Sequence, residues 1–416
     1  MSQSQHAFDG QAGAGGPGPA TLRHARRTIL VQYEARLPPR SSAFVWPSNA
    51  ILLRIQDKLD HDLFQNPKHE ATARYKTAFL RELCARLEAA VQQECEALHS
   101  QGVDEIEHPE VDAAVLERYV EIMASGSSST GSVTAHSAPD TEFTTHYWSK
   151  STSAGTIDDD SVAGEADLLE DYHKVTIREE GSAISKGTTG LRTWEAGLRL
   201  AGHLIGDPSI ITKPGTRIVE LGSGAGFVGT VCATEQAASS HGESQTFMTD
   251  MPGQVVTRLR DTLQVNGMTT SAVVKIQELD WLELSAERQQ NQQRDDLPTI
   301  SFVAEAKPTL VLAADVVYDP DLVDPLVETI RACLEAGTID CRALVASTIR
   351  NAETYGRFKA ALTSFGMKAS VVELQRPILT ASDPMGGPDL CALSVFPSAH
   401  DPSLNGKVEL LCITLG

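Results

Sequence analysis

Glu220, Gly222, Gly224 and Gly226 alternate along ELGSGAGFVG (220–229), and their spacing is the part of this chain best suited to hold a ligand. They follow the β-rich run TRIV (216–219) and precede an apolar segment, VGTVCATEQAA, that reads as a helix. Glycine turns the backbone tightly there and lets a ligand approach where any Cβ would clash. An acid followed by alternating glycines is the loop order that binds S-adenosylmethionine (AdoMet); dinucleotide folds share the glycines. AdoMet carries a ribose diol, an adenine ring and a sulfonium beside an amino-acid moiety. In an open α/β sheet such a ligand lies across the carboxyl ends of the central strands.

Other residues fall where that ligand needs partners. Asp250 ends the next strand candidate and is placed to accept both ribose hydroxyls, or else to cap the helix starting near Pro252. Asp280 and Trp281 close the third strand, as an acceptor for the adenine amino group and a flat wall, with Trp281 equally suited to a core. The fourth strand ends AADVVYDP (313–320), where Ala313 and Ala314 leave room for a ligand. Asp315 and Tyr318 then point into the opening, towards a substrate ammonium; the alternative is that Asp315 caps a local turn. Trp194, in GTTGLRTWEAGLRLAGHLI (187–205), either covers the methionine end or sits in the core. The chemistry is in-line methyl displacement from a sulfonium, which needs alignment and exclusion of water more than acid–base groups. No Ser-His-Asp order, P-loop lysine or HExxH is present, and DVVY stands where amino-methylating DNA enzymes carry an NPPY-type tetrapeptide.

These residues require a sheet. Strand candidates recur at 216–221, 245–250, 273–279, 309–318, 341–348, 368–374 and 407–415, with helical stretches at 252–267, 320–337 and 352–366. That alternation predicts an α/β fold, a mostly parallel seven-strand Rossmann-like sheet covered on both faces. Only a Pro/Gly-rich loop (376–406) joins the last two strands, so the final strand is expected antiparallel. HKVTIREEGSAIS (173–185) reads as a hairpin turning near Glu180–Gly181, and SAERQQNQQRDDLPT (285–299) as a surface insertion.

Ahead of the sheet, residues 1–27 read as a disordered Gly/Ala/Gln/Pro tail and 28–125 as an N-terminal helical domain. Its helices are expected at 51–64, with apolar residues at 51, 52, 55, 59 and 63, at 74–91, with Tyr75, Phe79, Leu83 and Leu87 four apart, and at 111–124. Residues 126–168, rich in Ser, Thr, Gly and acid, read as a linker or irregular insertion, and 169–416 as the AdoMet-dependent methyltransferase domain.

Composition narrows the partners. A net charge of −20 disfavours nucleic acid and anionic membranes, both polyanions. The seven scattered cysteines form no CxxC pair, so no metal site or disulfide framework is expected and a reducing compartment is the default. No apolar run reaches the roughly 18 residues of a membrane span, and the N-terminus lacks the apolar centre of a secretory signal. A cytoplasmic monomer is expected.

Taken in order, GTTGLRTWEA, ELGSGAG, LDW and AADVVY resemble the seven-strand protein-lysine methyltransferases of family sixteen. IREEGSAISKGTTGLRTWEA (177–196), STIRNAET (347–354), VQYEARLPPRSSAFVWP (31–47) and NPKHEATARYKTAFLREL (66–83) are similar to the branch that methylates a lysine of translation elongation factor 2. The resemblance implies AdoMet as cofactor, held by Trp194, Gly222, Ser223, Gly224, Gly226, Asp250, Trp281 and Ala314. It implies that Asp315 and Tyr318 orient the target lysine, that the protein substrate is elongation factor 2, and that the helical domain docks it.

Overall fold

The computed structural model describes residues 18–65, 67, 69–100, 109–127, 141–150, 168–180, 192–239, 242–290, 298–374 and 396–416. Four helices come first: α1 (Pro19–Glu34), α2 (Asn49–Phe64), α3 (Ala73–Ser100) and α4 (Ala113–Ser127). Their apolar stripes meet in one core of Ile29, Tyr33, Leu52, Ile55, Leu59, Phe79, Leu83 and Leu87. The expected spacing is met in α2, where Ile51, Leu52, Ile55, Leu59 and Leu63 are all buried. The tail is shorter than its composition suggests. Gly18 precedes Pro19 at the first helical position, and α1 runs through 27, burying Ala25 and pairing Arg26 with Asp62 at 2.6 Å. The rest of the expected tail, 1–17, lies outside the described residues.

The linker reading also needs correction. Residues 141–149, inside it, form β1 (Thr141–Ser149), antiparallel to β2 (Tyr172–Glu180) in register from Thr141↔Glu180 to Ser149↔Tyr172. Thr-rich composition there marks β-branched strand residues rather than solvated chain. β2 therefore pairs backward in sequence; the turn expected near 180–181, like 181–191, falls outside the described residues.

The ribbon joins the two halves. On one side Arg27 Nε donates to Leu168 O (2.8 Å), Val31 packs on Leu168 and Leu169, and Glu142 accepts from Thr72 N (3.0 Å). On the other it meets the large-sheet unit. Trp148 Nε1 donates to Glu235 (2.6 Å), Asn266 exchanges two hydrogen bonds with the Thr176 backbone, and Arg258 pairs with buried Glu180 at 2.9 Å.

After α5 (Glu195–Gly206) and the short α6 (Ser209–Thr212), strands and helices alternate. They are β3 (Arg217–Leu221), α7 (Phe227–Ala238), β4 (Gln245–Asp250), α8 (Gln254–Val265), β5 (Val274–Glu278), α9 (Trp281–Gln290), α10 (Pro298–Ala306) and β6 (Leu310–Ala314). Then come a 3-10 turn (Pro320–Leu322), α11 (Val323–Ala336), β7 (Arg342–Thr348), α12 (Ala352–Ser364), β8 (Met367–Val372), α13 (Pro402–Asn405) and β9 (Val408–Leu415). The seven-stranded order is β5-β4-β3-β6-β7-β9-β8, with β9 antiparallel to both neighbours as expected. Ile218, Leu310, Leu312 and Leu344 face α5 and α7, while Val219, Val311, Ala313 and Val345 face α11 and α12. Burial on both faces explains the unbroken apolar runs of these strands.

Two expected boundaries shift. β6 stops at Ala314 because Asp315 turns left-handed (φ 54°), its N–H donating to Ala346 O at 2.9 Å. The polar stretch 285–299 is not wholly an insertion. Through Gln290 it continues α9, where Ser285 bonds Glu328 and Arg288 bonds Glu335, both on α11; residues 291–297 lie outside the described set.

Because the ribbon's attachment includes the Arg258–Glu180 pair, Arg258→Ala leaves a buried carboxylate without its guanidinium. Unfolding in urea is expected to show a loss of about 3–5 kcal/mol. A variant as stable as the parent would mean that the pair does not hold the ribbon.

Candidate active site

β3 sits between β4 and β6, so the strand order reverses at its carboxyl end and a crevice opens there. The chain leaves β3 through the glycine loop. A Cβ on Gly222 (φ 67°) would lie 2.8 Å from Val316 Cγ1 and 3.3 Å from the Trp281 ring. One on Gly226 (φ 90°), the residue that opens α7, would lie 2.8 Å from Met248 Cε. Neither position has room for a side chain, and neither dihedral suits one.

The loop is braced by polar groups from two strands. Ser223 N donates to Thr249 O (2.9 Å), and Ser223 Oγ to Glu220 Oε2 (2.6 Å). Gly224 N donates to one Asp250 oxygen and Met251 N to the other, each at 2.8 Å. Asp250 does not cap α8, whose first turn has no side-chain cap. Burial pushes the Asp250 carboxyl up to about 6, against the pull of those two N–H groups. Burial pushes Glu220 further, up to about 8, with the Asp250 charge adding to it. At neutral pH the site thus holds one largely ionised and one largely protonated carboxyl.

Across the crevice stand Trp194, which precedes α5, Ala314 at the end of β6, and Trp281 at the start of α9. Tyr318 is half exposed at the mouth. Of the ten residues expected at the site, nine line this cleft: Trp194, Gly222, Ser223, Gly224, Asp250, Trp281, Ala314, Asp315 and Tyr318. Gly226 stands behind it and acts on the backbone alone. Asp280 does not reach it; its carboxylate accepts Leu282 N at 2.8 Å and caps α9.

Asp315 departs from expectation. Its side chain is 3% exposed. Oδ1 accepts from Thr348 N (2.8 Å), and Oδ2 from Thr348 Oγ1 (3.0 Å) and Ala196 N (3.2 Å). The Arg350 guanidinium lies 3.4 Å away and also stacks over Trp194, 4.9 Å from the ring centroid. The carboxylate therefore ties the ends of β6 and β7 to the start of α5, leaving little of it to greet a substrate amine. Arg192, Thr193, Gly197, Val228 and Val316 also line the cleft, and sequence reading missed them. Gly197 carried a legible signal, since a small residue in an apolar helix marks close packing, here towards Val228 and Ala314. Arg350 carried none, being 35 residues from the aspartate it meets.

No His/Cys/Asp/Glu cluster suited to a metal occurs among the described residues. No helix among them is long and apolar enough to cross a membrane. A cleft with a backbone cradle, a half-buried carboxylate acceptor and two indoles suits a nucleoside with a hydroxylated sugar.

A family model described as lysine methyltransferase matches residues 169–364. The chain is 29% identical over 313 residues to protein-lysine N-methyltransferase EFM3 of Chaetomium thermophilum, covering 74% of this chain and 78% of that one. It is 31% identical over 216 residues to protein-lysine N-methyltransferase EEF2KMT of Homo sapiens, covering 49% of this chain and 59% of that protein. Methyltransferase-like protein 22 of Mus musculus is 25% identical over 226 residues, covering 50% and 54%. The chain thus spans 59% of the human relative and 54% of the murine one, against 78% of the fungal one.

Gly222→Ala tests the cradle. Calorimetry with AdoMet is expected to show affinity lowered by about tenfold or more, or about 1.4 kcal/mol. Unchanged affinity would remove the loop from the binding site.

Proposed function

We propose that this protein is an AdoMet-dependent protein-lysine N-methyltransferase acting on translation elongation factor 2, a reading supported by the match of residues 169–364 to the lysine methyltransferase family model. The observation that carries the cofactor assignment is the Gly222 cradle beside Asp250, where any side chain would fill the approach. AdoMet supplies an electrophilic methyl group on a sulfonium. Asp250, lining the cleft, accepts the ribose hydroxyls. Trp281 walls the adenine, and Ala314 and Gly197 keep the floor low enough for the methionine end. Trp194, pinned by Arg350, keeps water from the sulfonium side. A lysine must arrive as a neutral amine, and desolvation in this cleft favours loss of its proton. Tyr318 orients the amine by its phenol at the mouth, and Asp315 acts by holding the three walls in register.

The substrate assignment rests on the resemblance and on the relatives' names. The acidic balance of −20 suits a basic protein surface over nucleic acid or membrane. The helical unit, fixed through the ribbon, supplies the contact area that one lysine side chain lacks. A cytoplasmic monomer fits this role.

Incubation with labelled AdoMet and purified elongation factor 2 is expected to label that protein on lysine, read by mass spectrometry. Label absent there but present on another protein would sink the substrate assignment. The pH dependence of AdoMet binding tests Asp250. Its acceptor role needs the ionised form, and its carboxyl sits at about 6. Affinity should be level above about pH 7 and fall by up to about tenfold per unit below pH 6. In Asp250→Asn the profile should flatten at weaker affinity; a parent profile already flat to pH 5 refutes the role.

A further inference from the structure

A second cavity, about 680 Å³, adjoins the cofactor cleft and shares Arg192, Thr193 and Trp194 with it. Its volume falls within the about 300–1,000 Å³ of sites that hold a ligand. Trp194 borders both spaces, and the Arg350 guanidinium stacks over its ring. Five parts of the chain wall the cavity: the segment after α1 at Leu37, the ribbon at His146 and Glu179, the entry to α5 at Arg192 to Glu195, the exit of β7 at Arg350, and the stretch around Ala399. The segment that follows the first helix thus helps to enclose a space adjoining the proposed cofactor cleft.

The walls are polar and incompletely paired. His146 is 5% exposed, packed edge-on against Phe227 and Phe396, and its Nδ1 has no hydrogen-bond partner among the described residues. Burial pushes its imidazole down to about 4, so it is neutral. Glu179 accepts the N–H of Thr193 at 3.1 Å, which places it one hydrogen bond from a residue lining both spaces. Burial raises its carboxyl, opposed by hydrogen bonds from Thr193, by the Arg192 charge and by a hydrogen bond from Thr144. The other charges on this cavity are largely committed. Arg36 is held by Tyr33 O, His69 O and Glu142, Arg350 by Asp315 and Trp194, and Glu195 by Arg199 and Ser398. His400 bonds Gly406 O, which leaves Arg192, over the Trp194 ring, as the cation nearest in role to an incoming one. A half-buried carboxylate lining a large polar cavity favours a cationic side chain arriving with its own apolar stem.

We propose that this cavity admits the lysine-bearing segment of the substrate protein, and that Glu179 is a specificity-determining residue that pairs with the lysine's ammonium before it reaches the methyl group. The inference rests on the methyltransferase reading above. It gives the helical unit a direct part in substrate entry, through Ala35 to Pro38, as well as an outer docking surface.

The test uses the full chain with labelled AdoMet and lysate proteins at limiting concentration, each variant compared with parent and with enzyme omitted. Ala399→Trp, at an exposed position, and Ala35→Trp fill the cavity from opposite walls. Both are expected to cut the labelling rate of the acceptor by about tenfold or more, with AdoMet affinity by calorimetry within about twofold of the parent. Glu179→Gln should do the same, and Glu179→Asp should recover part of the rate. If the filled variants label as fast as the parent, the lysine enters elsewhere. If Glu179→Gln alone keeps the parent rate, the carboxylate has no part in recognition. Should the parent bind AdoMet yet label no protein, the methyltransferase reading itself fails, and this inference with it.

Discussion

At the carboxyl end of β3 the backbone must pass between Val316 and Trp281 with no side chain of its own, and the rest of the site is arranged around that passage. Gly222 meets the demand by its left-handed turn and by the atoms it lacks. Because β3 is the strand where the sheet reverses direction of growth, the space left by the missing Cβ opens into the crevice rather than into a helix. Asp250 then fixes the loop from the neighbouring strand through Gly224 N. One half-buried carboxylate both shapes the cradle and lines the cleft beside it.

A second constraint governs the opposite wall. Asp315 adopts a left-handed conformation that non-glycine residues seldom take, and four surrounding donors hold it there. That junction ties together the ends of β6 and β7, the start of α5 and the stacked Trp194–Arg350 pair. A carboxylate tied this way is committed to backbone and side-chain donors of its own chain. Tyr318 stands exposed at the mouth of the cleft, and Glu179 lines the adjoining cavity.

The ribbon of β1 and β2 explains why a helical unit accompanies the sheet. Its two strands are too few to stand alone, so one side packs on α7 and α8 and the other on α1. Glu142 and Arg36 meet at 3.4 Å across that seam, beside the end of α1 that closes the second cavity. Packing and access therefore share the same residues.

The sequence by itself determined the repeating units. Apolar residues four apart in α2, unbroken apolar strands, and acid-then-glycine at 220–226 are local patterns whose physics needs no distant partner. From them the succession of seven strands and the antiparallel last strand were legible, while nine of the residues around the cleft came from those patterns together with the family resemblance. Tertiary structure decided everything that depends on a partner far along the chain. Thr141–Ser149 looked like linker because a Thr-rich strand is recognisable only beside β2. Pro19 to Arg27 looked disordered until Asp62 and the core of α2 gave α1 something to bury against. Asp280 and Asp315 were both acids at strand ends, and only the positions of Leu282 N, Thr348 and Ala196 turned one into a cap and the other into a junction. Residue type states which bonds a group can make; folding decides which donors come within reach.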